Sequence, residues 1–350
     1  MRNVVLCMLA VSLFCMSCSK SEIKNEKFTI IYSGNIGGQV NPCGCQPPMG
    51  GYARKSTIIN AVRSEKEKNI LVLDSGALLF NSIFLQPSTE ALSKLNAHVA
   101  AQIVDKLGFD AINVSSFDLS NSVDSLLAID RSSSVNWLSS NLVWRDSGEP
   151  VFTKDIILSK GILNIGIFGV MADDFLGANL YDESSPLKVL DIIETAKEEV
   201  SKLKAETDII IALCYISEKE ATELCEKVSG IDIVIHSHNG YHDAESYTET
   251  FKPEKINKKL FLQCPDGGRV LGVIDLEVVN GSGDFKEVEG KTVINKKSDD
   301  IIDYAGETDS KYQNYFFTLT DDINTDTEIQ EEIDRLREGL SALRDSLGLD

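Results

Sequence analysis

Short apolar runs alternate with amphipathic stretches along most of the chain. The runs rich in β-branched residues predict buried strands at 28–32, 70–74, 111–114, 163–170, 208–214 and 231–235. Apolar residues at helical spacing predict helices at 51–68, 88–107, 188–205 and 219–228. Strands that alternate with helices in this way predict an α/β fold with a largely parallel sheet that helices cover. From 260 to 293 the pattern changes to strands and turns, which predicts an antiparallel finish.

The domain division follows from the same pattern. We expect one main domain at 28–294, a connector at 295–325 and a C-terminal helix at 326–350. Asp326 and Thr327 can cap that helix. Its apolar side chains recur at alternating spacings of three and four, at Ile333, Leu336, Leu340, Leu343 and Leu347. The helix could pack back on the domain or pair with an envelope protein or another chain, and the pattern leaves both open.

The N-terminus has the features of an export signal. Residues 1–17 contain a single charge, Arg2, followed by an apolar run that is too short to span a bilayer. The sequence that ends in Ser17-Cys18 resembles the lipobox of bacterial lipoproteins. That resemblance implies cleavage before Cys18, lipid acylation of Cys18, a tether at 18–27 and, because Ser19 follows, an outer membrane location facing the periplasm. The alternative is an ordinary signal peptide.

Charge limits the classes of partner. The 350-residue chain has 54 acidic and 34 basic residues, for a net charge of −20. A field of this sign repels phosphate backbones, and the sequence contains no basic cluster interleaved with aromatic residues. We therefore expect no nucleic-acid partner.

One motif gives a family resemblance. The strand at 28–32 is followed by a glycine-rich loop that closes with Gly50-Gly51-Tyr52-Ala53-Arg54, and seven further segments follow in a fixed order to about residue 280. Together they resemble the periplasmic 5′-nucleotidase branch of the calcineurin-like metallophosphoesterases. The resemblance implies a layered α/β sandwich with mixed, largely parallel sheets covered by helices.

The same resemblance locates the family's metal ligands, and most of them are substituted here. The family holds two divalent metals with carboxylates, an Asn and several His residues. Of its aligned positions His238 is retained, while the substituted ones are Asn35, Gly37, Ala77, Ser116, Phe117, Tyr215 and Gly240. Asn35 and Ala77 replace both carboxylates, and Phe117 replaces the acid that would protonate the leaving group. We therefore expect a catalytically degenerate protein that binds or scaffolds in the cell envelope and has no cofactor.

Two alternatives remain open. The chain could be a divergent metal-dependent phosphoric ester hydrolase, or it could be a Cys-x-Cys redox or metal protein. The histidine-rich segment around the end of the strand at 231–235 could hold a single zinc or similar ion through His236, His238, His242 and Asp243. It could equally be one inherited histidine among solvated loop residues.

Cysteine is the remaining signal. An exported compartment permits disulfides, and we expect one that involves Cys43 or Cys45. A bond between these two would close a very small, strained and reducible ring, which would favour redox chemistry. A bond from either of them to Cys264 or another distant cysteine would instead make a structural staple.

Overall fold

The computed structural model describes residues 26–65, 69–175, 178–179, 181–237, 253–264, 266–279, 284–286 and 312–346. The helices in these ranges are α1 (Tyr52–Glu65), α2 (Glu90–Lys106), α3 (Val123–Ser132), α4 (Ile192–Leu203), α5 (Glu218–Lys227) and α6 (Thr327–Ser346). All four helices predicted inside the main domain are present, and α3 is an addition that the sequence pattern did not indicate. The helix predicted to begin at 188 begins at Ile192 instead, where the Asp191 side chain accepts a hydrogen bond from the Glu194 N–H at 2.8 Å.

The first sheet contains four parallel strands and an antiparallel extension. Its spatial order is β16 (Asp284–Lys286), β15 (Val270–Val279), β1 (Glu26–Ser33), β2 (Ile70–Asp74), β3 (Ala111–Asn113) and β4 (Asn136–Leu138), and β17 (Tyr312–Thr318) also pairs with β15. Strands β1 to β4 run parallel to one another, whereas β15 is antiparallel to β1. The antiparallel finish expected after residue 260 is present in this sheet from Val270 onward, whereas residues 260–263 pair parallel with 233–236 in the second sheet.

The second sheet has a parallel centre with antiparallel edges. Its order is β13 (Glu254–Ile256), β14 (Lys259–Gln263), β12 (Ile233–Ser237), β11 (Ile209–Tyr215), β7 (Leu163–Met171) and β6 (Asp155–Lys160). The edge strands β13 and β6 run against their neighbours. Two small pairs complete the described strands: β5 (Leu142–Trp144) with β10 (Leu187–Val189), and β8 (Asp174–Phe175) with β9 (Ala178–Asn179).

Three apolar layers hold the elements together. Ile30 of β1 packs with residues of both sheets in the layer between them, and Ile31 packs in the layer between the first sheet and the helices α1, α2 and α6. This reversal between successive residues follows from the two-residue period of a strand. A third layer joins the outer face of the second sheet to α4 and α5. The result is the helix–sheet–sheet–helix sandwich that the sequence predicted.

The predicted connector is partly a strand of the main domain. Residues 312–318 form β17, which pairs antiparallel with β15 from Val270 to Leu276. The interpretation of 295–325 as a connector is wrong for this segment. Its aromatic residues, Tyr315, Phe316 and Phe317, favour a strand, but the pairing partner lies about forty residues earlier in the chain. Residues 295–311 lie outside the described ranges.

Helix α6 packs against its own domain. Ile333 is fully buried in the layer shared with α1 and α2, and Lys106 of α2 forms an ion pair with Glu332 at 3.0 Å. The helix start is fixed by Asp326, whose carboxylate accepts hydrogen bonds from the Ile329 N–H at 3.2 Å and from Ser56 Oγ at 2.6 Å. The helix thus packs on the domain through this face, and pairing with an envelope protein or another chain stays a prediction.

Candidate functional site

The loops that follow β1 and β2 lie side by side at the carboxyl edge of the first sheet. The Asn35 N–H donates to the Gly76 carbonyl at 2.9 Å, and the Gly37 N–H donates to the Ala77 carbonyl at 2.8 Å. Asn35 and Ala77 both have positive φ, 52° and 55°, which is unusual for alanine and is found mostly where surrounding structure enforces it. Ligands of open α/β folds bind at such strand ends, so this edge is the natural candidate site.

Close backbone approaches bring the second sheet to the same edge. A Cβ on Gly34 would lie 2.4 Å from Ser75 Oγ and 3.0 Å from the Cβ of Ser237, the last residue of β12. A Cβ on Gly76 would lie 3.1 Å from the Cβ of Tyr215, the last residue of β11. Glycine is therefore required where the ends of the two sheets meet, and the sequence positions singled out on β2 and β11 become neighbours.

A small apolar cluster occupies this meeting point. Ala77, Phe117 and Tyr215 are buried together, with Ile83 packed against them. The rings of Phe117 and Tyr215 lie 5.6 Å apart between centroids, at an angle of 56°. Such a tilted aromatic pair is stabilising in its own right. Three positions that the sequence aligned with metal ligands or the catalytic acid thus form an apolar cluster, and two of them make an aromatic contact.

Gly37 is also shaped by its surroundings. Its φ is +62°, and a Cβ at this position would lie 2.7 Å from the Cβ of Asn81. A histidine here would have to displace the loop that follows β2, because backbone-linked atoms occupy the space. The packing of this loop therefore requires a glycine at the position where the family has a histidine.

Asp118 ties the loop after β2 to the loop after β3. Its carboxylate accepts hydrogen bonds from the N–H groups of Ala77 at 3.1 Å, Leu79 at 2.8 Å and Ser115 at 3.0 Å, and from Ser115 Oγ at 2.6 Å. Burial raises the pKa of this carboxyl to about 6, although the hydrogen bonds oppose the shift. Asp118 thus positions the backbone around Ala77.

A cavity of about 300 Å³ lies next to this carboxylate, between α2 and α3. Asp118 contributes to its lining together with Leu79, His98 of α2, and Ser125 and Ile129 of α3. This volume is at the small end of ligand pockets in proteins. The mixture of apolar and polar groups would suit a small amphipathic molecule.

A buried lysine lies beneath the site. Lys55 of α1 is 1% exposed, its ammonium group lies 5.2 Å from the centre of the Tyr52 ring, and within the described part of the chain its Nζ has no hydrogen-bond partner. Burial lowers its pKa to about 8, and the nearby charge of Asp74 partly offsets the effect. Asp74 accepts hydrogen bonds from Ser33 Oγ at 2.6 Å and from the Gly76 N–H at 2.9 Å. The ionisable groups of Lys55 and Asp74 are therefore buried below the strand ends, in the layer between the first sheet and the helices.

Comparisons with known proteins agree with this architecture. The sequence is 26% identical over 271 residues to the trifunctional nucleotide phosphoesterase protein YfkN of Bacillus subtilis (strain 168), which covers 69% of this chain and 18% of that protein. The structure of a 5′-nucleotidase precursor from Thermus thermophilus matches with a TM-score of 0.71 at 15% identity, over 91% of this chain and 60% of that chain. The calcineurin-like phosphoesterase YfkN from Bacillus subtilis matches with a TM-score of 0.65 at 19% identity, over 92% of this chain and 100% of that chain.

The chain has a metallophosphoesterase fold of the 5′-nucleotidase type. The resemblance that the sequence motifs gave is thereby confirmed. No protein-family model matches the sequence. The chain spans less than a fifth of the curated Bacillus relative's length, 18%, so that protein's activities do not transfer to it.

The described residues do not fit the two metals that this fold family implies. A bridging ligand needs a carboxylate or another anion, whereas Ala77 supplies only a methyl group. Phe117 supplies only a ring at the position of the acid that would protonate the leaving group. The aromatic contact between Phe117 and Tyr215 occupies the space between these side chains with carbon. A pair of dications has no anionic partner at these positions.

The structure places His236 in the core. It is 1% exposed, its ring stacks on Phe261 at 5.5 Å, and its Nε2 lies 2.8 Å from the Ile216 carbonyl. Because a carbonyl only accepts, Nε2 carries the proton, so a metal could be bound only through Nδ1. His236 as a candidate ligand therefore stays a prediction, now at a buried position. The other candidate positions of that segment, His238, Gly240, His242 and Asp243, lie outside the described residues, as does Cys18.

The structure joins Cys43 to Cys45 in a disulfide. Cys264, the proposed distant partner, lies in the layer between the sheets, where its Sγ accepts a hydrogen bond from Ser75 Oγ at 3.3 Å. The interpretation of a staple from the loop to Cys264 is wrong, because Cys264 is packed inside the sandwich. Cys214 and Cys225 are also buried in the described core.

Lys55 and Asp118 are the site residues that sequence reasoning missed. Charged residues are rarely buried, so nothing in the local pattern distinguishes Lys55 from a solvated side chain. A signal did exist for Asp118, which directly follows Ser116 and Phe117 at the end of a predicted strand. Lys55 directly follows the glycine-rich motif that ends at Arg54, but its burial depends on how α1 packs on the sheet.

Proposed function

We propose that this is an exported, lipid-anchored protein of the cell envelope that uses a metallophosphoesterase fold for binding or scaffolding and not for two-metal hydrolysis. The buried cluster of Ala77, Phe117 and Tyr215 carries this proposal. The fold survives because it depends on the apolar strands, which are independent of the ligand positions.

Electrostatics support a loss of the familiar chemistry. Two dications a few ångströms apart repel each other strongly, so the pair is stable only when anionic groups bridge and surround it. The described cluster offers carbon atoms and one phenol at three of the relevant positions. Restoring one ligand would leave the other positions apolar and the charge uncompensated.

The proposed location depends on the N-terminal segment. Cys18 would carry the lipid, and no helix in the described ranges is both long and apolar enough to cross a membrane. The lipid would then be the membrane anchor, with the domain facing the periplasm. Because the inner face of α6 is occupied by α1 and α2, an envelope partner at this helix would meet its outer face.

Metal content and hydrolysis test the proposal on the full chain purified in detergent. We expect no stoichiometric metal pair, and no cleavage of nucleotides or aryl phosphates with Mn²⁺, Zn²⁺ or Mg²⁺ above a protein-free control. Ala77→Asp and Phe117→His, alone or together, should not restore activity. Turnover that His238→Ala abolishes would overturn the proposal and support the divergent phosphohydrolase instead. A single bound zinc ion without turnover would leave the binding role intact and define a metal site at the histidine-rich segment.

Labelling tests the anchor. Palmitate should be incorporated into the wild type and lost in Cys18→Ser, and the wild type should remain with membranes until detergent is added. Incorporation that persists in Cys18→Ser would contradict the proposed anchor without affecting the hydrolysis result.

A further inference from the structure

The loop that carries Cys43 and Cys45 is anchored by groups other than the disulfide. Arg54 Nη1 donates to the carbonyls of Pro48 at 2.7 Å and Leu319 at 3.0 Å, and the Gly50 N–H also donates to the Leu319 carbonyl at 2.8 Å. The Tyr52 N–H donates to the Val40 carbonyl at 3.0 Å. These bonds hold both ends of the loop against α1 and the chain after β17.

Further contacts hold the middle of the loop. The Cys43 N–H donates to the Met49 carbonyl at 2.8 Å, and Gln39 Nε2 approaches the same carbonyl at 3.3 Å. Gln330 of α6 donates to Asn41 Oδ1 at 3.2 Å. A disulfide with one intervening residue closes a very short loop and therefore removes little conformational entropy from the unfolded chain. It adds little stability to a loop that hydrogen bonds already hold in place.

The disulfide lies at the exposed tip of this frame. Cys43 and Cys45 are half-buried and Gly44 between them is exposed, and a Cβ on Gly44 would meet no heavy atom within 4 Å. An external sulfur can therefore approach the bond. The three remaining cysteines of the described chain are buried and cannot compete for it.

The two sulfur atoms differ in one contact. The Met49 N–H lies 3.3 Å from Cys43 Sγ and donates to it. A hydrogen bond to sulfur stabilises the thiolate over the thiol, so Cys43 is the better leaving group of the pair. Thiol–disulfide exchange is faster when the departing thiolate is stabilised.

From this geometry we infer that Cys43 and Cys45 form a redox-active disulfide that accepts two electrons from an external dithiol. This activity is separate from the proposed binding role. A thiolate of the dithiol attacks Cys45 Sγ and forms a mixed disulfide, while the Cys43–Cys45 bond breaks and Cys43 leaves as a thiolate. The second thiol of the dithiol loses its proton and attacks the mixed disulfide, which releases the Cys45 thiolate. The dithiol becomes a disulfide, and the two cysteines are reduced and take up protons from solvent.

Reduction of the folded full chain tests the inference. The protein in detergent is incubated under argon with dithiothreitol in one arm and with a reduced Cys-x-x-Cys protein in the other, then alkylated and mapped by mass spectrometry. We expect both reductants to expose the thiols of Cys43 and Cys45 but not those of Cys214, Cys225 and Cys264. Reaction with dithiothreitol alone would restrict the electron donor to small dithiols. No reaction with either, in protein that reacts once denatured, would overturn the inference.

Stability and single variants complete the test. The melting temperature should change on reduction by no more than about 3 °C, and a larger fall would show a structural staple. In Cys45→Ser, the alkylation rate of the remaining Cys43 thiol should reach half its maximum at a certain midpoint pH. That midpoint should lie about one pH unit below the midpoint of the Cys45 thiol in Cys43→Ser, which corresponds to about tenfold more thiolate at neutral pH. Gly44→Ala is the matched control and should leave both the reduction and the melting temperature unchanged. Equal pH midpoints of alkylation for the two thiols, or a lower midpoint for Cys45, would refute the assignment of Cys43 as the leaving group.

Discussion

Replacement of the buried lysine tests the electrostatics beneath the strand ends. Lys55→Met keeps the length and flexibility of the side chain and removes its charge. The wild type holds an ammonium group in a fully buried position, where it donates no hydrogen bond to any described residue, and burial lowers its pKa to about 8. The variant should therefore lose a pH dependence of stability that the wild type has on the alkaline side of neutrality.

The magnitude follows from the difference between the folded and unfolded pKa values. Below pH 8 both states carry the charge, and the folded state bears the full cost of burying it. Between pH 8 and the ordinary value of 10.5 the folded state has released its proton while the unfolded chain still holds one, so stability rises with pH. This group alone should raise the free energy of unfolding by about 2 kcal/mol from pH 8 to pH 10.

Urea unfolding at pH 7, 8, 9 and 10 measures the effect as the difference between wild type and Lys55→Met. The difference removes the contributions of the buried thiols and of Tyr52, which both chains share. Lys94→Met is the matched control, because the Lys94 side chain is 42% exposed and pairs with Glu90 at the surface of α2. We expect Lys94→Met to track the wild type. Parallel curves for wild type and Lys55→Met would show that the lysine is solvated, and would refute the placement of this charge.

Three further predictions concern the loops and helices around the site. Burial raises the pKa of Asp118 to about 6, so its protonation should stabilise the wild type relative to Asp118→Asn by about 1 kcal/mol as the pH falls from 7 to 5. Denaturant titrations measure this, and a free-energy difference between the two proteins that does not change with pH would contradict the raised pKa. Ile333→Ala should lower the free energy of unfolding by about 2–5 kcal/mol and Leu340→Ala clearly less, because Ile333 is fully buried and Leu340 only partly. Equal losses of unfolding free energy for the two variants would contradict the docking of α6. Ser217→Ala should lower stability by about 1 kcal/mol by removing the capping box of α5, and an unchanged melting temperature would contradict it.

The sequence was sufficient for the architecture because the architecture depends on periodic patterns. Buried strands such as Ile209–Tyr215 read as unbroken apolar runs, and helices such as Glu90–Lys106 place apolar residues on one face. The order of the motifs then pointed to a two-sheet sandwich. Helix α3 was missed although Val123, Leu126 and Leu127 have helical spacing and Ser122 caps the helix, because the segment is only ten residues long.

The site was less accessible to sequence reasoning. The substitutions at Ala77, Phe117 and Tyr215 were visible from the motif alignment, and they correctly directed attention to the strand ends. Their contact with one another was not visible, because the three residues come from loops and strands that lie 40 to 138 positions apart in the chain. The same limit applies to Cys43 and Cys264, which the sequence allowed as partners and the packing keeps apart.

The sequence by itself thus determined the fold class, the helix-covered sheets and the loss of ligand-type side chains, since each is a property of residue type and local spacing. Only the tertiary structure decided which groups are buried and which meet. It added Tyr312–Thr318 to the first sheet, placed His236 in the core, and buried Lys55 where its Nζ donates no hydrogen bond to the described residues. Burial and pairing arise from contacts between distant parts of the chain, and such contacts have no periodicity for a local pattern to reveal.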